Sequence, residues 1–243
     1  MCGPAGAWRA AGRRLGNLGL RGQLALGLRV GLRHHPALLA VALVVDAPLA
    51  ILGLAGERSG SAVLAFVLGL PLVALVNPVA KAATVVAVDR VLAGRPVSPW
   101  SAYRPVLARF GTVAALCVLW FAAVALGVAA LVVPGIVLLV AGQCLMGAAV
   151  LEGHGVRGAA ARSRELVMPA FWSVLALFLL LEVAGGVAGS LVDLAFAPVV
   201  ETVDGAGWFV AVAGRAAVSP FVYAMPAVLF LDRRAALARQ QAA

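Results

Sequence analysis

Carboxylates are scarce in this chain. Ten Asp and Glu stand among 243 residues, and all charged residues together make up only 12%. A soluble domain of this length needs more polar surface than that. Lysine is nearly missing as well, with Lys81 alone against eighteen arginines. Cysteine is limited to Cys2, Cys117 and Cys144, and no CxxC spacing occurs. That excludes a disulfide framework and a zinc site, and leaves these thiols as small packing residues. The three histidines are His34, His35 and His154. His154 beside Glu152 is too little for a metal site. There is no HExxH, GxSxG or Walker-type loop, and no nucleophile–base pair is suggested by spacing. No catalytic residue, metal or cofactor is therefore expected.

What fills the chain instead is apolar. It is 63% hydrophobic, with a mean hydropathy of +1.04. A helix needs about 20 apolar residues to cross the hydrocarbon core. The composition predicts an all-α fold, a polytopic transmembrane helical bundle of six spans with short interfacial helices. Residues 1–35 form a basic cytoplasmic or interfacial segment, 36–231 the transmembrane domain, and 232–243 a cytoplasmic tail. The spans are placed at 36–55, 61–88, 110–132, 135–151, 170–194 and 207–231.

The third and fourth are separated by length. Phe110 to Leu151 carries no charge. As one helix it would be roughly 63 Å long, about twice a bilayer. Val133-Pro134-Gly135 is the predicted break, because proline lacks the N–H and glycine frees the backbone. Residues 90–109, with Gly94, Pro96, Pro99 and Pro105, read as a loop holding one short helix. Phe196 to Ala206 reads as a short polar loop.

Arginine placement sets the orientation. Alternate loops hold sixteen of them, from Arg9 through Arg90, Arg95, Arg104, Arg109, Arg157, Arg162 and Arg164 to Arg239, while the opposite side holds Arg58. The positive-inside rule then puts both termini in the cytoplasm. The first apolar run is too long for a signal peptide and is expected to be a retained helix. The net charge of +9 is divided into clusters between apolar runs. That pattern indicates anionic lipid headgroups at the cytoplasmic face as partners, rather than nucleic acid. The Ala, Gly, Val, Leu and Arg usage resembles that of a GC-rich bacterium, so a multi-pass plasma (inner) membrane location is expected.

The even-numbered spans each leave the membrane on an acid: Asp89, Glu152 and Asp232. Pro78 with Asp89-Arg90, and Pro220 with Asp232-Arg233, suggest a diverged repeat; ordinary interfacial residues are the simpler explanation. Leu18 to His35 reads as a helix in the interface, its glycines weakening it in water. Ser98 and Pro99 read as the N-cap and first residue of another helix. Trp100, Tyr103, Trp172 and Trp208 mark interfaces.

Together Arg33-His34-His35-Pro36, Pro134-Gly135, Leu151-Glu152-Gly153, Arg162-Ser163-Arg164-Glu165-Leu166 before Phe171-Trp172, and Phe230-Leu231-Asp232-Arg233 resemble the membrane domain found beside glycerophosphodiester phosphodiesterases and related six-helix bacterial membrane proteins. The resemblance covers roughly residues 20–235. It implies six helices and no activity, because in those phosphodiesterases the chemistry belongs to a separate soluble domain not expected here. Arg164 stands where the family pattern has Trp.

Charges inside a membrane cost about 2.5–3.5 kcal/mol each on insertion scales and are functional candidates by default. Four are expected there: Asp46, Lys81, Glu182 and Arg215. They form either structural ion pairs or a polar ligand or proton site, with Asn77, Gln143, Ser219 and Tyr223 as contributors. Asp46 and Lys81 fall at similar depth, and Arg215 can reach toward Glu182 or Asp193. Gly185-Gly186-x-x-Gly189 is expected to pack helices closely within the chain, and a homo-oligomer or a membrane-protein partner stays open. The leading class is a non-enzymatic integral membrane protein in assembly, lipid interaction or envelope maintenance. A small transporter or channel using the four charges is the alternative, and a membrane enzyme acting on lipid is third.

Overall fold

The computed structural model describes residues 15, 16, 18–44, 78–130, 132–202 and 206–242. Among them every regular element is a helix. In order these are α1 (Leu20–Arg33), α2 (His35–Val44), α3 (78–92), α4 (Pro99–Leu107), α5 (Phe110–Ala130), α6 (Val132–Ala141), α7 (Leu145–Val150), α8 (Val156–Val167), α9 (Phe171–Thr202) and α10 (Ala206–Ala242). Short 3-10 turns, Gly142–Cys144 and Met168–Ala170, join α6 to α7 and α8 to α9.

Among the described residues three stretches are long and apolar enough to cross a membrane: Phe110–Ala129, Val133–Val150 and Val156–Val192. On the first and third many large side chains face outward. Val118, Leu126, Val187 and Leu191 are exposed, an arrangement water does not tolerate and lipid does. Much of the expected first and second spans, residues 45–77, lies outside the described residues.

Helix boundaries differ from the expected ones in two places. The break in the uncharged 110–151 run comes earlier than Val133-Pro134-Gly135, since α6 already starts at Val132. Pro134 then sits in the first turn, where its missing N–H has no partner to lose. The expected loop after residue 194 is helix as far as Thr202, with Pro198 inside it. Within the segment expected to be a cytoplasmic tail, residues 232–242 are helical and continue α10. The 90–109 stretch is as expected. Ser98 and Ser101 form a reciprocal capping box, and Pro99 opens α4.

Close approaches at small residues fix how the helices meet. A Cβ on Gly127 would lie 3.1 Å from Gly135, and one on Gly142 would overlap the Trp120 ring, so α5 and α6 form a tight antiparallel hairpin. Gly185 faces Val222 and Gly214 faces Val192, which makes α9 and α10 a second antiparallel pair. The α1 helix runs antiparallel along the C-terminal half of α10. Gly16 meets Ala235 and Ala236, Gly27 meets Met225, and Gly31 meets Phe221.

The buried core lies where α3, α7, α8 and α10 converge. Ala82 to Val88, Leu145 to Val150, and Ala227 to Leu231 are all buried. Phe230 is at its centre, against Gly147, where a Cβ would come within 2.6 Å of the ring. The acids Asp89, Glu152 and Asp232 follow closely on these three buried runs.

Candidate functional site

Asp232 follows directly on the buried run of α10 and is 2% exposed. A carboxylate taken out of water needs donors around it. Its Oδ1 accepts the backbone N–H of Gly16 at 2.5 Å and of Leu18 at 3.3 Å, and its Oδ2 accepts from Gln23 Nε2 at 2.9 Å. Gln23 is itself buried and also donates to the Leu18 carbonyl. Arg239, two turns further along α10, donates to the Leu15 carbonyl. The segment leading into α1 is therefore fastened to α10 by a buried carboxylate and a guanidinium.

The other two exit acids are also engaged. Asp89 Oδ1 accepts from Arg234 at 3.3 Å, and the Arg234 guanidinium lies 5.7 Å above the Phe230 ring. The look-alike ends of α3 and α10 thus touch each other. Their acids have different partners, Arg234 for Asp89 and the Gly16, Leu18 and Gln23 donors for Asp232. Glu152 takes Arg162 on both oxygens, at 2.8 and 3.3 Å, with His154 Nε2 at 3.4 Å. Arg162 also reaches Glu165 at 2.8 Å. The hydrogen bond to Glu152 is the largest influence raising the Arg162 guanidinium above its ordinary value, so this group stays charged.

Around the same end, Arg109 donates to the Gly153 carbonyl at 2.7 Å, Ser163 Oγ to the Ala141 carbonyl at 2.5 Å, and Tyr103 Oη to the Val41 carbonyl at 2.7 Å. Gly153 has φ +80, a conformation glycine adopts without strain. His34, between α1 and α2, has a pKa below its ordinary value because of burial and, secondarily, the adjacent Arg33 charge.

The residues singled out from the sequence fare unevenly. Lys81 lies on α3 and Glu182 on α9, close enough for their charges to interact. Among the described residues no N–O contact within 4 Å joins them. Asp46 and Asn77 lie outside the described residues. Arg215 falls on α10, with its side chain outside the description. Gln143 donates to its own helix at Leu139, 3.2 Å away. Ser219 and Tyr223 lie one turn apart on α10, both half-buried.

The GxxxG glycines of α9 do not make the expected close packing among the described residues. Gly185 has only ordinary contact with Val222, and Gly189 has nothing within 4 Å. Gly27 and Gly31 of α1 have the same spacing and do make such an approach. Cys117 and Cys144 are free, buried thiols. Among the described residues no three His, Cys, Asp or Glu side chains gather closely enough to hold a metal ion.

Arg21, Arg29, Arg33, Arg95, Arg104 and Arg164 are all exposed. The arrangement can hold helices together and attract anions. In comparison with known proteins, no family model, no curated protein and no solved structure matches this chain.

Proposed function

We propose that the chain is a six-span bacterial inner-membrane protein with both termini in the cytoplasm. In this reading it performs no chemistry of its own and works in lipid interaction, membrane assembly or envelope maintenance. One observation carries the reading: Asp89, Glu152 and Asp232 are each consumed in internal hydrogen bonds while neighbouring arginines stay exposed. Exposed cationic side chains beside apolar helices attract anionic headgroups, at about 1 kcal/mol per arginine near the surface. The resemblance to the membrane domain of glycerophosphodiester phosphodiesterases agrees with a domain lacking its own active site.

The test is the lipid that stays with the purified protein. Anionic phospholipid enriched over its share of the host membrane is the expected result. Retained lipid that mirrors the bulk composition would remove the basis for the reading. Reporter fusions at both ends should report a cytoplasmic location.

A second reading rests on Lys81 and Glu182, two charges on apolar helices within electrostatic reach of each other. If they form a proton path, proteoliposomes should dissipate a pH gradient, and Glu182→Gln should stop it. A gradient that persists equally with wild type and empty vesicles removes this alternative.

A further inference from the structure

Helix α4 has two unlike faces. Ala102, Tyr103 and Val106 are buried, and the Tyr103 hydroxyl donates to the Val41 carbonyl at 2.7 Å. That side is fastened to the bundle. On the other side Trp100, Arg104 and Leu107 stand at the spacing i, i+4, i+7, and all are exposed. Trp100 is 68% exposed and Leu107 49%. The apolar stretch Phe110–Ala129 begins shortly after Leu107, so Leu107 lies no more than about 11 Å from its start. Phe110, the first residue of that stretch, is exposed as well. Between Asp89 and Glu152 the sequence holds no carboxylate, and those two acids are bound by Arg234 and Arg162. Among the described residues no carboxylate lies within 4 Å of the Arg104 guanidinium.

From this face we propose that Trp100, Arg104 and Leu107 form the docking surface for an anionic phospholipid of the cytoplasmic leaflet. The inference rests on the lipid-interaction reading above and names where it happens. The short link to Phe110 holds α4 near the edge of the hydrocarbon core, where headgroups lie. Helices at that depth bury an apolar face about 5–10 Å into the boundary between headgroups and acyl chains. Arg104 offers phosphate oxygens the fork of its guanidinium. Trp100 and Leu107, one turn before it and one turn after, offer apolar surface to the glycerol and the upper acyl carbons. Indole suits this depth, since its ring is apolar and its N–H polar. Bulk water would leave the apolar side chains uncovered, and the hydrocarbon centre would penalise the arginine. A free phosphate would use Arg104 and ignore its neighbours; a phospholipid uses all three. A stable protein interface takes about 800 Å² from each partner, more than one face of a nine-residue helix presents. The Ser98–Ser101 capping box closes the first turn of α4, so the surface is offered without first ordering a loose segment.

The test titrates full-length protein in detergent with phosphatidylglycerol or phosphatidylcholine, scoring bound lipid by native mass spectrometry. Wild type should prefer phosphatidylglycerol, and Arg104→Gln should weaken that binding about fivefold. Arg104→Lys keeps the charge and should keep most of the preference. Trp100→Ser/Leu107→Ser should weaken both lipids alike, by about tenfold, and leave the preference in place. Arg164→Gln, on the exposed side of α8, should change binding less than about twofold. Added salt should weaken phosphatidylglycerol binding in wild type more than in Arg104→Gln. Should the double serine variant misfold, Arg104→Gln alone decides the site. Wild-type affinity in folded Arg104→Gln, or an equal loss in Arg164→Gln, would overturn this site and leave the lipid reading standing. No preference in wild type would overturn both. Glycerol phosphate binding as tightly as the lipid would overturn the lipid as occupant.

Discussion

Gln23 and Asp232 are 209 positions apart in the chain and share a buried hydrogen bond of 2.9 Å. With the Gly16 and Leu18 amides on the same carboxylate, this contact fixes the position of α1. Replacing Asp232 with Ala leaves three buried or half-buried donors without their acceptor. Unsatisfied groups of this kind cost about 1–3 kcal/mol each. The thermal midpoint of Asp232→Ala should fall by about 5–10 °C, and proteolysis before residue 33 should accelerate. An unchanged midpoint would mean the carboxylate is dispensable.

Gly147 and Gly189 make opposite predictions. Gly147→Ala drives a methyl into the Phe230 ring, and overpacking of that kind costs about 1–3 kcal/mol. Gly189→Ala enters open space among the described residues and should change stability by less than about 0.5 kcal/mol. Thermal melts of the two variants side by side decide it. A larger loss at Gly189 would reveal a packing partner on that face of α9.

Stability should fall on mild acidification through His34. Its folded pKa lies below the unfolded value of 6.5, so the unfolded chain takes up the proton first. The native state keeps its full advantage above about pH 6.5 and loses part of it as pH falls from there toward the folded pKa. Melting midpoints measured from pH 7.5 to 5.5 should show a smaller decline in His34→Gln than in wild type. Parallel curves would assign the decline to other groups.

Lys81 and Glu182 should be coupled. In a double-mutant cycle with Lys81→Met and Glu182→Gln, the single changes should sum to more destabilisation than the pair together, by about 0.5–3 kcal/mol. Additive effects would mean the two charges act separately, which would favour a ligand or ion at one of them.

Much of the bundle is readable along the chain because its signals are local. The uncharged 110–151 run cannot be one span, and Ser98-Pro99 announces its helix by the chemistry of a cap. Prolines misled where their context mattered more than their identity. Pro134 reads as a break and sits harmlessly in a first turn; Pro198 reads as loop and is held within α9. The work of Asp232 could not be read at all, since its donors are Gly16, Leu18 and Gln23, far away in sequence. The GxxxG spacing reads as a packing signal at Gly185 and Gly189, while Gly27 and Gly31, with the same spacing, read as weak points of a helix. Spacing alone does not tell which glycine pair has a neighbour to receive.

The contact between Gln23 and Asp232 also imposes an order on biosynthesis. During translation Gln23 leaves the ribosome 209 residues ahead of its acceptor. At about 5–20 residues per second that is a wait of roughly 10–40 s. Through this interval the glycine face of α1 has no seat, and the helix waits beside the membrane until α10 arrives to receive it.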